Sequence, residues 1–142
     1  IITVKKGQFL SYTDTNNICR KVAETGNTQS VIIERGTSFG YGNLIVDMRG
    51  FEHMKRCDTP IIFDATHSVQ HPGGQGQSSG GDRTMVEPLS ISAVAQSIAG
   101  VFLEVHDDPN NAPSDGPNAL HLGDFSKLVE KLRDLDQFVK RD

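Results

Sequence analysis

Four short apolar runs punctuate the chain: Ile1-Ile2-Thr3-Val4, Val31-Ile32-Ile33, Ile61-Ile62-Phe63 and Val101-Phe102-Leu103. Each is rich in strand-forming residues and continuously apolar rather than alternating, the pattern of short strands buried on both faces. Their starts lie 30, 30 and 40 residues apart. The gaps carry helical spacing. Ile18, Cys19, Val22 and Ala23 make one stripe, and Leu44, Met48, Phe51 and Met54 suggest a second. Val86, Leu89, Val94 and Ile98 suggest a third, with Pro88 in its first turn. Leu128, Leu132, Leu135 and Phe138 or Val139 form the clearest stripe, for which Asp124 or Ser126 is the expected cap.

Strand and helix therefore alternate four times, which predicts an α/β fold with a parallel sheet and right-handed crossovers. An open doubly wound sheet and a barrel both satisfy this order. A complete (β/α)8 barrel takes about 250 residues, so 142 residues hold about four βα units, half a barrel. The run endings favour the barrel. They are Lys5-Lys6, Glu34-Arg35, Asp64-Ala-Thr-His67 and Glu104-Val-His106. In a barrel all four endings share the C-terminal rim where active sites are built. In a doubly wound sheet only those at the switch point would meet. A single charged ending marks no more than a strand leaving the core; four in four strands point to one converging site.

Composition narrows the function. With 36% hydrophobic and 23% charged residues the chain is ordinary globular protein, read as one domain over residues 1–142. A net charge of -4, from 14 basic and 18 acidic residues, argues against a nucleic-acid binder but leaves room for a local cationic pocket. No apolar stretch approaches the roughly 18–20 residues of a membrane span. Cys19 and Cys57 show neither a CxxC spacing nor a disulfide framework, and suggest a reducing, cytoplasmic setting. The chain opens inside a strand without a leader-like segment, so its natural start is expected upstream.

The rim residues suggest particular chemistry. Lys5 and Arg35 are suited to a phosphate or carboxylate, Arg35 through a two-pronged contact. Lys5 and Lys6 alternate, so one points inward and the other outward; the pattern does not say which. His67, Glu104 and Asp115 offer the imidazole and carboxylate donors that suit Zn, Fe, Mn or Co. Taken singly, each reads as a hydrogen-bonded polar residue, and His106, Asp64 and Asp107 compete as ligands. His53, His71 and His121 are expected at the surface. The segment from Pro72 to Arg83 includes Gly73, Gly74, Gly76, Ser79, Gly80 and Arg83. It lacks the Gly-Lys-Ser/Thr of a phosphate-binding P-loop, and its composition suits either a mobile lid or a plain surface loop; its place after His67 favours the lid. The next rim loop, Asp107 to Pro117, holds three prolines.

These stretches resemble one enzyme family in order. Val4-Lys-Lys-Gly-Gln-Phe9, Glu34-Arg-Gly-Thr-Ser-Phe-Gly-Tyr41, Asn43-Leu-Ile-Val-Asp47, Phe63-Asp-Ala-Thr-His-Ser-Val-Gln70, Ser79-Gly-Gly-Asp-Arg83, Phe102-Leu-Glu-Val-His106 and Ser114-Asp-Gly-Pro117 are similar to motifs of the 3-deoxy-D-manno-octulosonate 8-phosphate synthases. The resemblance runs from Ile2 to about Val139 and covers the second half, strands five to eight, of that family's TIM barrel. It implies condensation of phosphoenolpyruvate with arabinose 5-phosphate, release of phosphate, and a role in making the octulosonate sugar of lipopolysaccharide. It further implies that Lys5, Arg35 and His67 are catalytic residues that bind phosphoenolpyruvate. By the same resemblance His67, Glu104 and Asp115 bind a divalent metal in the metal-dependent class, and the Gly73–Arg83 loop covers the substrates. Pro72-Gly-Gly and Ser114 resemble that class; the deciding Cys or Asn belongs to the other half. No organic cofactor is implied, and the family suggests a homo-oligomer, a tetramer.

A lone half-barrel would expose two sheet edges and an apolar interior. The chain is therefore expected to be part of a longer protein or to complete a barrel by association. Two other functions compete: a related phosphoenolpyruvate-condensing sugar-acid synthase acting on erythrose 4-phosphate or a mannosamine, and a non-catalytic half-barrel serving as a phosphoenolpyruvate-binding or subunit-assembly module.

Overall fold

The computed structural model describes residues 1–73 and 80–141. Ten strands appear among them: β1 Ile2–Lys5, β2 Ser30–Glu34, β3 Thr37–Phe39, β4 Asn43–Ile45, β5 Ile61–Asp64, β6 Gln70–His71, β7 Gly80–Gly81, β8 Gly100–Phe102, β9 Val105–His106 and β10 Leu120–His121. Four α-helices accompany them: α1 Thr15–Ala23, α2 Arg49–Lys55, α3 Val86–Val94 and α4 Leu122–Val139. The four apolar runs become one four-stranded sheet in the order β1-β2-β5-β8. Every neighbouring pair is parallel, with Thr3 opposite Val31, Ile33 opposite Ile62 and Asp64 opposite Phe102. The fold is thus mixed α/β with a parallel sheet whose strands follow chain order.

Register and pleat divide the sheet into two faces. Ile32, Ile61 and Phe63 point to the helices and are buried with Phe51, Met54, Val69, Val86 and Ala93. Phe51 and Phe63 meet edge to face, their centroids 5.9 Å apart. A second cluster, Val94, Leu120, Leu128 and Leu132, seats α4 on α3 and the β10 strand. The opposite face carries Thr3, Lys5, Val31, Ile33, Ile62 and Phe102, none of them buried. No helix of the described residues is long and apolar enough to cross a membrane.

Three local expectations need correction. Leu44 does not begin α2; it is the inward residue of an antiparallel hairpin, β3–β4, with Ser38 opposite it. The turn is made possible by Gly40 and Gly42, at φ of 62° and 71°. The cap of α4 is neither Asp124 nor Ser126 but His121, whose ring accepts from the Gly123 N–H at 3.0 Å. His53 is half-buried and stacks on Tyr12 at 4.8 Å rather than standing free at the surface. His71 and His121 are exposed as expected.

Candidate functional site

Because the four strands are parallel, their C-terminal ends lie along one edge of the sheet. There β5 ends at Asp64, which is fully buried and accepts from the His67 backbone N–H at 2.9 Å. That bond turns the chain into a single 3-10 turn, His67–Val69, and swings the imidazole back over the strand end. The Asp64 carboxylate also lies 2.9 and 3.0 Å from His67 Nδ1. Burial alone would push the Asp64 carboxyl up, but hydrogen bonds from His67 and Lys5 outweigh it and hold it below the ordinary carboxylate value.

Asp64 can only accept, so Nδ1–H donates to it, and Nε2 points away from the strand end. It lies 3.2 Å from Glu104 Oε1 and 3.9 Å from Asp115 Oδ1. One donor atom from each of the three residues falls within 4.8 Å of the others. Glu104 is placed by its backbone N–H, which donates to Thr66 Oγ1 at 2.7 Å. Asp115 sits at φ 51°, a left-handed conformation uncommon for residues other than glycine, and its carbonyl accepts from the N–H groups of Asn118 and Ala119. Two carboxylates converging on one imidazole nitrogen repel one another unless a proton or a metal ion joins them, and the donor set suits a borderline divalent ion. Among the described residues, His106 and Asp107 stand apart from this group: they pair with one another, 3.1 Å apart.

The two expected cations flank it. Lys5 points to the uncovered face, 2.6 Å from Asp64 Oδ2, with its ammonium 5.0 Å from the centroid of the Phe102 ring. Lys6 takes the other direction. It is buried and donates to the carbonyls of Leu10 and Gly36 and to Thr37 Oγ1, 3.6 Å from Glu34. Lys5 therefore belongs to the site and Lys6 to the framework under the hairpin. Arg35 is 8% exposed, and burial lowers its guanidinium pKa against the pull of Asp64, Glu34 and Asp115. One terminal nitrogen, NH2, donates to the His67 carbonyl and to Gln70 Oε1; the other, NH1, is buried with no partner among the described residues.

Gln70 is the residue that sequence reasoning missed. Its Oε1 accepts from Arg35 at 2.7 Å and its Nε2 donates to Asp115 at 2.6 Å, so one amide ties a cation to an acid. The available signal was its spacing, three residues after His67 across a tight turn. The glycine-rich segment starts and ends in β6 and β7, paired antiparallel with Gln70 opposite Gly81 and His71 opposite Gly80. Gly73 and Gly80 lie at its two ends, and Arg83 donates to the Gly116 carbonyl beside Asp115. Gly74, Gly76 and Ser79 lie outside the described residues.

Known proteins are similar to this chain. A protein of Agrobacterium fabrum (strain C58) named 2-dehydro-3-deoxyphosphooctonate aldolase is 54% identical over 140 residues, 99% of this chain and 50% of that protein. Proteins of the same name from Bartonella henselae and Pelobacter propionicus are 52% and 53% identical, again over 99% of this chain and over 50% and 52% of their own lengths. The chain spans about half the length of the curated relatives it matches. The model of the DAHP synthetase I family matches residues 1–141. With the parallel sheet and the rim cluster already in view, a match across nearly every residue makes the chain a member of the DAHP synthetase I family.

Proposed function

We propose that this chain supplies one half of a (β/α)8 barrel, strands five to eight, and with it half of an active site that condenses phosphoenolpyruvate with arabinose 5-phosphate. The observation that carries the reading is the convergence of Lys5, Arg35, His67, Glu104 and Asp115 at one edge of the sheet, in a chain whose relatives are named 2-dehydro-3-deoxyphosphooctonate aldolase. The uncovered sheet face and the free outer edges of β1 and β8 are the surfaces the other four units would cover. The complete protein is proposed to be a homo-oligomer.

The residues divide the work by charge. Arg35 and Lys5 hold the anionic phosphoenolpyruvate, the unpartnered NH1 of Arg35 being the donor free for it. Asp64 fixes the His67 ring, and Gln70 holds Arg35 and Asp115 in register. C3 of the enol forms the new bond to the sugar aldehyde carbon, a water oxygen adds at C2, and the phosphate leaves with its bridging oxygen. His67 Nε2, Glu104 and Asp115 would hold a divalent ion, which when bound polarises the aldehyde or orients the water. Without an ion, the same three groups can hydrogen-bond the sugar carbonyl or the water.

The test is phosphate release by the complete protein from phosphoenolpyruvate, with arabinose 5-phosphate, erythrose 4-phosphate or a mannosamine as acceptor. Turnover dependent on arabinose 5-phosphate is expected. Preference for another acceptor would move the chain to a related synthase, and no turnover with any would leave a binding module. Chelator treatment followed by Mn, Co, Zn or Fe(II) decides the metal role: loss and recovery of activity are expected, whereas full activity in metal-free protein would overturn it.

A further inference from the structure

The edge of the sheet opposite the rim, where strands begin, carries a second chemical feature that is independent of the proposed activity. Cys19 lies on α1, and Cys57 lies in the turn between α2 and β5. They are 38 positions apart in the chain, yet they line the same cavity of about 490 Å³, between α1 and the starts of β2 and β5. Both are half-buried free thiols. The Cys57 thiol donates to the side-chain carbonyl of Asn16. Asn16 and Cys19 are three residues apart on α1 and so share one helix face. The Cys57 sulfur is therefore seated on the face of α1 that carries the other thiol.

We propose that Cys19 and Cys57 are a dithiol modification site, which a peroxide converts to a disulfide clipping α1 to the turn before β5. In the first step one sulfur attacks a peroxide oxygen; the O–O bond breaks, giving a sulfenic acid and, with the thiol proton, one water. The second sulfur then attacks the sulfenic sulfur, forming the S–S bond and releasing the second water. Two thiols are oxidised and one peroxide is reduced to two waters. Burial first, and the adjoining Cys19 thiol next, push the Cys57 thiol up. The reaction quickens as pH rises, because the thiolate is the nucleophile.

Location sets the consequence. The pair sits at the strand starts, away from the strand ends that hold Lys5, Arg35 and His67, so the clip constrains the framework without touching the site. A disulfide closing a loop of this length removes unfolded-state freedom, so the oxidised protein melts at a higher temperature than the reduced one.

The experiment treats the complete protein with hydrogen peroxide, blocks remaining thiols and maps peptides without reductant. A linked peptide joining Cys19 to Cys57, lighter by two hydrogens and split by dithiothreitol, is expected, together with a raised Tm that reductant reverses. Both changes should vanish in Cys19→Ser. Recovery of both cysteines as separately blocked thiols or separate sulfinic acids would overturn the proposal. Because the mapping is done on the unsubstituted protein, the result stands even where Cys19→Ser fails to fold.

Discussion

Gln70 donates its amide N–H to Asp115 at 2.6 Å while its carbonyl receives Arg35 at 2.7 Å. An amide is the side chain that can do both, since it carries a donor and an acceptor on one rigid plane. Glutamate at this position would keep the Arg35 contact and set a negative charge against Asp115. Leucine would leave both partners without their bond. Both substitutions should lower kcat/KM of the complete protein by about 10–100-fold, the usual effect of losing a group that orients a ligand or substrate contact. Unaltered kinetics in both variants would reduce Gln70 to packing.

Arg35 has a buried terminal nitrogen with no partner among the described residues. A desolvated donor of that kind is unfavourable unless a ligand meets it. Arg35→Ala should therefore cost about 2–5 kcal/mol in kcat/KM for phosphoenolpyruvate, the range for truncating one member of a buried charged contact. Arg35→Lys should rescue little of it, because the donors of an ammonium radiate from one nitrogen and cannot both hold Gln70 and the His67 carbonyl and reach the separate position of the second guanidinium nitrogen. Steady-state kinetics on the three proteins separates these outcomes; a variant with wild-type kcat/KM would take Arg35 out of the site.

The strands and the charged site residues were legible because burial on both faces leaves continuous apolar runs, and such runs must stop where the chain reaches solvent or a ligand. Lys5, Arg35, His67 and Glu104 each stand at or just past such a stop. The hairpin β3–β4 was hidden for the opposite reason. Leu44 alone of its residues is buried, and the four-residue step from Leu44 to Met48 imitates a helix turn. Gln70 was hidden because an uncharged amide carries no ligand signal in one dimension. Lys5 and Lys6 are indistinguishable by type; only the register of β1 against β2, with Lys5 opposite Ile33, assigns them to different faces.

Glu34 and Lys6 offer a test through pH. The Lys6 ammonium is buried among several oxygens, and Glu34 Oε1 accepts from the Gly36 N–H at 2.5 Å. Burial raises the Glu34 carboxyl above its ordinary value, although Lys6 pulls the other way. A raised folded-state pKa means that the folded protein keeps its proton where the unfolded chain has lost it. Its contribution is then fully present below the unfolded value and is lost as pH rises through the folded one. Glu34→Gln does not titrate. It imitates the protonated acid, so near neutrality it should be at least as stable as wild type, whose buried carboxylate is disfavoured when ionised. Wild type should gain on the variant as pH falls through the raised folded-state value toward the ordinary carboxylate value. Urea unfolding of the complete protein at several pH values reads this directly; a gap that does not change with pH would remove the burial effect at Glu34.

Gly81 is where the glycine-rich segment returns to the site, and space rather than backbone freedom demands glycine there. A Cβ at this position would lie 1.4 Å from Asn118 Oδ1 and 2.5 Å from its Cγ. Asn118 cannot simply step aside: it is fully buried, and its N–H is held by the Asp115 carbonyl at 2.9 Å. Gly81 also lies opposite Gln70 in the β6–β7 pair, so a displaced Gly81 disturbs the Gln70–Asp115 bond from both ends. Gly81→Ala should therefore destabilise the complete protein by about 1–3 kcal/mol, the range for overpacking a filled interior, and lower activity by more than that loss of folded protein explains. Asn118→Ala removes the obstructing amide, whose Nδ2 and Oδ1 have no hydrogen-bond partner among the described residues. The double variant Gly81→Ala, Asn118→Ala should accordingly be more stable than Gly81→Ala alone. Denaturation of the four proteins in a double-mutant cycle gives the coupling energy. Additive effects would show that the two positions do not compete for the same space, and that the glycine at 81 answers to something other than Asn118.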